Sequence, residues 1–234
     1  MTEAGQLPLD FEHRPALGGE DFLVAPPNAE AVGWLDAWPD WPGTALILFG
    51  PAGSGKTHLA QVFQAMSRAC VVSSADLRES QPPAYLGGSP AAILENTDDV
   101  IGDTGGGLEE AVLHLFNVLR ESDCHLLMTA KQPPARWGIG LKDLSSRLNA
   151  ASQAGIGAPD DALITAVLVK QFQDRQLRID EDVISFMLAR MERSFEAARH
   201  MVHAIDEAAL KERRNITVPL VRKVLQRQPF QSDT

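Results

Sequence analysis

The chain has 234 residues, 44% of them apolar and 22% charged, with a formal net charge of -10. That length builds one large domain or two small ones around a sizeable core. Residues 1–159 carry 9 Lys and Arg against 19 Asp and Glu, whereas residues 160–234 carry 12 of each. No segment is a basic block, which argues against free-standing binding to a phosphate backbone, and no apolar run reaches the ~18 residues of a membrane span.

Along the chain, residues 1–21 hold few apolar side chains and read as a flexible arm. Their start, MTEAGQLPLDFEHR, is polar and acidic and lacks the apolar stretch of a secretory signal. A helix is expected near 28–38, stopped by Pro39. Thr44–Phe49 is a short continuous apolar run, the pattern of a strand buried on both faces. Leu59, Val62, Phe63 and Met66 then recur at helical spacing. Further buried strands are expected at 70–73, 91–94 and 125–129, with a helix near 108–121 and a short strand near 154–157. The stretches 81–90 and 102–107, rich in Gly and Pro, read as loops. Strands alternating with helices predict an α/β fold with a parallel sheet.

After Pro159 the pattern turns wholly helical. Segments near 160–175, 181–192, 194–214 and 217–227 are expected, with Asp180, Ser194 and Thr217 as N-caps. Domain bounds at 1–21, 22–159 and 160–234 follow. Cys70 and Cys124 sit in apolar runs and read as reduced core thiols of a cytoplasmic protein. Trp34, Trp38 and Trp41, with Pro39 and Pro42, read as packing residues. His200 and His203 share a helix face but lack further metal ligands.

One motif carries chemistry. Gly50, Pro51, Ala52, Gly53, Ser54, Gly55, Lys56 and Thr57 satisfy G-x-x-x-x-G-K-[ST] at every fixed position, after an expected strand and before an expected helix. In such a loop backbone N–H groups cradle phosphate oxygens, the lysine reaches the β- and γ-phosphates, and the threonine hydroxyl faces Mg²⁺. The expected cofactors are ADP or ATP with Mg²⁺. A carboxylate at the end of another strand is needed to hold the metal through water. Glu95, closing Ala91–Leu94, takes that role. Asn96 stands where a second carboxylate would activate water, and an amide cannot take that proton. Asp98 and Asp99 lie just beyond.

A phosphate loop, an α/β base and a helical lid together resemble the AAA+ ATPases, and within them the initiator branch of DnaA and its short relative Hda. The resemblance spans about residues 20–227. It rests on Phe49–Leu59, on Leu126–Ala130 running into Pro133-Pro134, on Leu141–Leu148, and on Leu177–Val183, Arg193–Glu196 and Asn215–Thr217. It implies a P-loop AAA+ parallel-sheet base followed by a small all-helical lid. By the same resemblance His58 joins the loop residues at the nucleotide, and Leu23, within Phe22–Val24, lies on its adenine side. Arg147 is implied to be an arginine finger offered to a neighbour's nucleotide, where a guanidinium is worth roughly 10³–10⁵ in rate.

Within that family the chain shows no counterpart of DnaA's basic DNA-binding domain, and so is more like Hda. Gln6-Leu7-Pro8-Leu9-Asp10-Phe11 resembles a peptide that binds the DNA sliding clamp, the β subunit of DNA polymerase III. Gln6 would make the polar contact, and Leu9 and Phe11 would be the apolar anchors. Expected partners are the clamp and DnaA; assembly with further copies of the chain stays open, and neither direct DNA binding nor a membrane is expected. The sequence departs from the family at Asn96, at Lys131 near the sensor-1 position, and at Glu196 near the sensor-2 arginine. Arg193 or Arg199, a turn to either side, would then reach the nucleotide. These departures bear on self-hydrolysis more than on binding. The expected function is stimulation of ATP hydrolysis on DnaA, shutting down initiation. The alternatives are a self-acting ATPase such as a helicase loader, and a nucleotide-gated adaptor with no catalytic contribution.

Overall fold

The computed structural model describes residues 13–14, 22–79, 81–102, 107–212 and 214–227. Two compact units are formed, one of residues 26–157 and one of residues 13–14, 22–25 and 158–227. Gln6, Leu9 and Phe11 lie outside the described residues.

The first described elements are two short strands, β1 (His13–Arg14) and β2 (Phe22–Leu23), paired antiparallel. His13 and Arg14 are thus strand residues, although the sequence places them in an arm. The larger unit follows: α1 (Ala29–Asp36), β3 (Ala45–Phe49), α2 (Lys56–Ser67), β4 (Cys70–Val72), α3 (Ser74–Glu79), α4 (Pro82–Leu86), β5 (Ala91–Leu94), α5 (Thr97–Gly102), α6 (Leu108–Glu121), β6 (His125–Ala130), α7 (Lys142–Ala150) and β7 (Ser152–Gly155). A 3₁₀ turn at Pro134–Arg136 separates β6 from α7. Pro82–Leu86 is helical where the Gly/Pro pattern reads as loop; the prolines occupy its start, where a missing N–H costs nothing.

The five long strands form one sheet in the order β4-β5-β6-β3-β7, every neighbour parallel. Ile47 lies opposite Met128 on one side and Gln153 on the other. Burial on both faces explains the unbroken apolar runs: all four residues of β5 and the first four of β3 are buried. The helices cover the sheet with apolar stripes. On α6 that stripe is Leu108, Val112, Leu115, Phe116 and Leu119, at three- and four-residue spacing. Fully burying one such Leu or Phe is worth about 1.5–3 kcal/mol.

The tryptophans pack as expected. Trp41 stacks on Phe63 at 5.2 Å, Trp38 meets the same ring edge-on at 5.9 Å, and the Trp41 Nε1–H donates to the Trp34 carbonyl at 2.7 Å. Cys70 and Cys124 are half-buried free thiols. The Cys70 thiol donates to the Tyr85 carbonyl at 3.0 Å, and burial pushes its pKa up.

The second unit carries α8 (Asp161–Asp174), α9 (Glu181–Leu188), α10 (Phe195–Glu212) and α11 (Val218–Arg227). Its core includes Leu168, Phe172, Val183, Met187, Val202, Ile205 and Val221, all at most 1% exposed. Ser194 caps α10 as expected, its hydroxyl accepting from the Ala197 N–H at 3.1 Å. Asp160 caps α8, its carboxylate accepting from the Leu163 N–H at 2.8 Å. Asp180 precedes α9 without a side-chain cap bond. Among the described residues no helix is long and apolar enough to cross a membrane.

Candidate nucleotide site

The phosphate loop leaves the carboxyl end of β3, which has β6 on one side and β7 on the other. In open parallel sheets that end is where ligands sit. Close packing explains the first glycine. A Cβ at Gly50 would lie 2.2 Å from the Ile156 carbonyl oxygen, so only a bare backbone passes there. The last glycine, Gly55, caps α2 with φ at +96°, a left-handed conformation that glycine adopts without strain. The first turn of α2 then presents N–H groups that have no intrahelical acceptor.

Lys56 is 8% exposed, and its ammonium donates to the carbonyls of Gly50 and Pro51, each at 2.7 Å. Burial draws its pKa down; the charges of Asp98 and Glu95 oppose that and Lys131 adds to it. The lysine is therefore folded onto its own loop, a cation whose hydration has been replaced by two carbonyl dipoles. Nucleotide phosphates would offset the loss of hydration that burial imposes on this cation. Ser54 supports the same reading: its hydroxyl oxygen is buried without a hydrogen-bond partner.

Thr57 and Glu95, on separate elements and 38 positions apart, are brought together. The Thr57 hydroxyl donates to Glu95 Oε2 at 2.7 Å. A hydroxyl and a carboxylate at the exit of a phosphate loop form the oxygen donor set of a hard cation, and the residues present fit Mg²⁺. Thr57 would offer its oxygen directly and Glu95 would hold a bound water. No cluster of three or more His, Cys, Asp or Glu exists among the described residues, so most other ligands would be water and phosphate.

Asn96 follows with φ at +51°, and its N–H donates to the Thr129 hydroxyl at 3.1 Å. This bond couples the ends of β5 and β6. Thr129, 1% exposed, is a structural partner that the sequence reading missed, since it lies inside an apolar run without its own signal. Lys131 is held by Asp98 and Asp99, the acids that come just after Asn96. Its N–H donates to Asp98 Oδ2 at 2.8 Å, and its ammonium pairs with Asp99 at 2.9 Å. The hydrogen bond to Asp99 raises the Lys131 pKa.

Arg147 lies on α7. Its Nε and Nη2 donate to the two carboxylate oxygens of Asp143 at 3.2 and 3.1 Å, and its guanidinium carbon lies 5.8 Å from the centre of the Phe116 ring. Glu109 is a further residue without a sequence signal. From the first turn of α6 its carboxylate accepts from the N–H groups of Gly140 and Leu141, at 2.9 and 2.6 Å, and so anchors the start of α7.

Leu23 and Arg193 belong to the other unit. Leu23, 5% exposed, packs in a small cluster with Ala25, Leu163 and Ala166. Arg193 pairs with Asp161 at 2.8 Å, and that bond raises its pKa. Glu196 lies in the first turn of α10. His203 pairs with Glu207, one turn along the helix, at 3.5 Å.

A family model described as "Hda, lid domain" matches residues 160–225. An uncharacterized protein of Haemophilus influenzae is 27% identical over 192 residues, covering 76% of this chain and 80% of that one. Domain III of the replication initiation protein DnaA from Thermotoga maritima superposes with a TM-score of 0.76 at 18% identity, over 92% of this chain and 98% of that one. AMPPCP-bound DnaA from Aquifex aeolicus gives a TM-score of 0.67 at 16% identity, over 86% and 68%. A DNA replication initiation factor gives 0.68 at 16% identity over 82% of this chain, which spans 65% of that longer protein. Residues 160–225 thus match the Hda lid family, and the chain has the fold of DnaA domain III.

Proposed function

We propose that this chain is an Hda-like negative regulator of replication initiation. It binds ADP or ATP with Mg²⁺ at Gly50–Thr57, Thr57 and Glu95 holding the metal and His58, Leu23 and Arg193 completing the nucleotide contacts. It engages the β sliding clamp through Gln6, Leu9 and Phe11. It then offers Arg147 to the nucleotide of DnaA and speeds hydrolysis there. The observation that carries this reading is the match of residues 160–225 to the Hda lid.

The chemistry suits a protein that acts on a partner's nucleotide. Binding needs the loop, Lys56 and a cation. Hydrolysis of its own nucleotide also needs a group that takes a proton from water, and Asn96 supplies an amide instead. A trans-acting arginine needs no such base. The test is ATP hydrolysis by DnaA in the presence of clamp loaded on DNA. Wild-type protein stimulates it; Arg147→Ala does not. Stimulation that survives Arg147→Ala refutes the mechanism. Clamp capture lost on joint substitution of Gln6 and Leu9 by Ala tests the second contact.

One observation favours a self-acting ATPase: Thr57 and Glu95, the two side chains that would hold Mg²⁺, are already brought within 2.7 Å of each other. Sustained turnover by the isolated protein, indifferent to clamp and DnaA, would establish that reading.

A further inference from the structure

We infer that Asp143 is a positioning residue for Arg147, setting the direction in which its guanidinium is presented to a phosphate on a partner molecule. The inference rests on the reading of Arg147 as a trans-acting arginine. Its grounds are geometric. Asp143 lies four residues before Arg147, so both side chains share one face of α7. The contact is a fork: Nε donates to Oδ1 at 3.2 Å and Nη2 to Oδ2 at 3.1 Å. A guanidinium has five N–H donors in one rigid plane. The fork uses two of them. The remaining three, both on Nη1 and the second on Nη2, lie on the edges turned away from Asp143. Two of them, one on each Nη, run parallel and match the oxygen pair that a phosphate offers.

The guanidinium is also supported from α6. The Phe116 ring lies 5.8 Å from its carbon, within cation–π range. Phe116 comes seven residues after Glu109, so both lie on one face of α6. That face fixes the start of α7 through Glu109 and supports the arginine two turns later. An arginine on a bare helix samples many rotamers, and each must be searched before a productive contact. Here the carboxylate fork and the ring restrict that search before a partner arrives, which is how positioning raises a rate. Stability does not account for the pair. The Asp143 side chain is 56% exposed and that of Arg147 22%, and exposed ion pairs one helical turn apart contribute little to folding.

The experiment measures DnaA ATP hydrolysis with clamp on DNA, titrating the full chain as wild type, Asp143→Asn, Asp143→Glu and Arg147→Ala. Asp143→Asn is expected to lower the maximal stimulated rate on the order of ten-fold, a share of the roughly hundred-fold that misplacing a reacting group by 1 Å costs. The half-maximal concentration should stay unchanged, and Asp143→Glu should recover part of the rate. A rate equal to or above wild type for Asp143→Asn overturns the inference; a rate above it would make Asp143 a restraint on the arginine. If wild type gives no stimulation, or Arg147→Ala stimulates equally, the proposed function has failed. The inference is then decided by the Arg147 Nε–H resonance in ¹⁵N-arginine-labelled full chain, identified by its loss in Arg147→Lys. Asp143→Asn should shift and broaden that signal, and an unchanged signal overturns the inference.

Discussion

Gly50→Ala adds one methyl group at the tightest point of the phosphate loop. The new Cβ would stand 2.2 Å from the Ile156 carbonyl oxygen, 3.1 Å from the Ile156 carbonyl carbon and 3.2 Å from Ser54 Oγ. The first contact is with backbone, which cannot rotate away as a side-chain tip can. Both strands there are pinned: the Ile156 N–H donates to the Phe49 carbonyl at 2.7 Å, and the Gly50 N–H to the Ala130 carbonyl at 3.1 Å. Relief needs a displacement of about 1 Å, and overpacking of this kind typically costs 1–3 kcal/mol. In a chain of this size that lowers the melting temperature by roughly 2–4 °C per kcal/mol. The same displacement moves the N–H groups and Lys56 off the phosphate positions, so nucleotide affinity should fall on the order of ten- to a hundred-fold. Gly33→Ala is the control, since a Cβ there has nothing within 4 Å and lies on helix α1. It should be neutral, or stabilise by about 0.5–1 kcal/mol. Calorimetric melting and titration with a fluorescent ADP measure both effects. If Gly50→Ala melts with Gly33→Ala and binds ADP as wild type does, the packing argument is wrong.

Three further outcomes are expected. Thr57→Val removes the hydroxyl bonded to Glu95, so chelating Mg²⁺ should weaken ADP binding roughly ten-fold or more in wild type but hardly at all in the variant; equal sensitivity refutes a metal role. Arg193→Ala breaks a solvent-exposed pair with Asp161, a contact that contributes little to folding. Its melting should barely change while ADP affinity drops, and unchanged affinity removes Arg193 from the nucleotide contacts. Burial lowers the pKa of His125, with Asp123 in opposition, where the ring lies 5.3 Å from that of Trp41. Between that lowered value and the ordinary 6.5 the unfolded chain binds more protons, so this group makes stability rise with pH and fall on acidification. The slope of melting temperature between about pH 5 and 7 should be shallower in His125→Gln, and an identical slope refutes the assignment.

The elements most legible in the sequence were those whose burial is uniform or periodic. Ala91–Leu94 is apolar throughout because both faces of β5 are covered, and Leu108–Glu121 shows its stripe because one face of α6 is. Short helices such as Pro82–Leu86 were hidden, because one turn holds too few residues to establish a period. Leu23 packs with Leu163 and Ala166, and so meets a residue 140 positions further along the chain. Chain order carries no trace of such a contact.

The phosphate loop, the strand-helix alternation, the change to helical composition after Pro159 and the acidic balance are all legible along the chain. Each is written in neighbouring residues, because turn glycines, buried strands and amphipathic helices are local demands on side-chain type. Which residues meet is settled by the folded chain alone. It set Thr57 against Glu95, Asn96 against Thr129, Glu109 beneath the start of α7, and Asp143 and Phe116 around Arg147. All but one of these join residues more than 30 positions apart. A parallel sheet brings distant strand ends to one edge, and the chemistry at that edge depends on register and strand order rather than on any one segment.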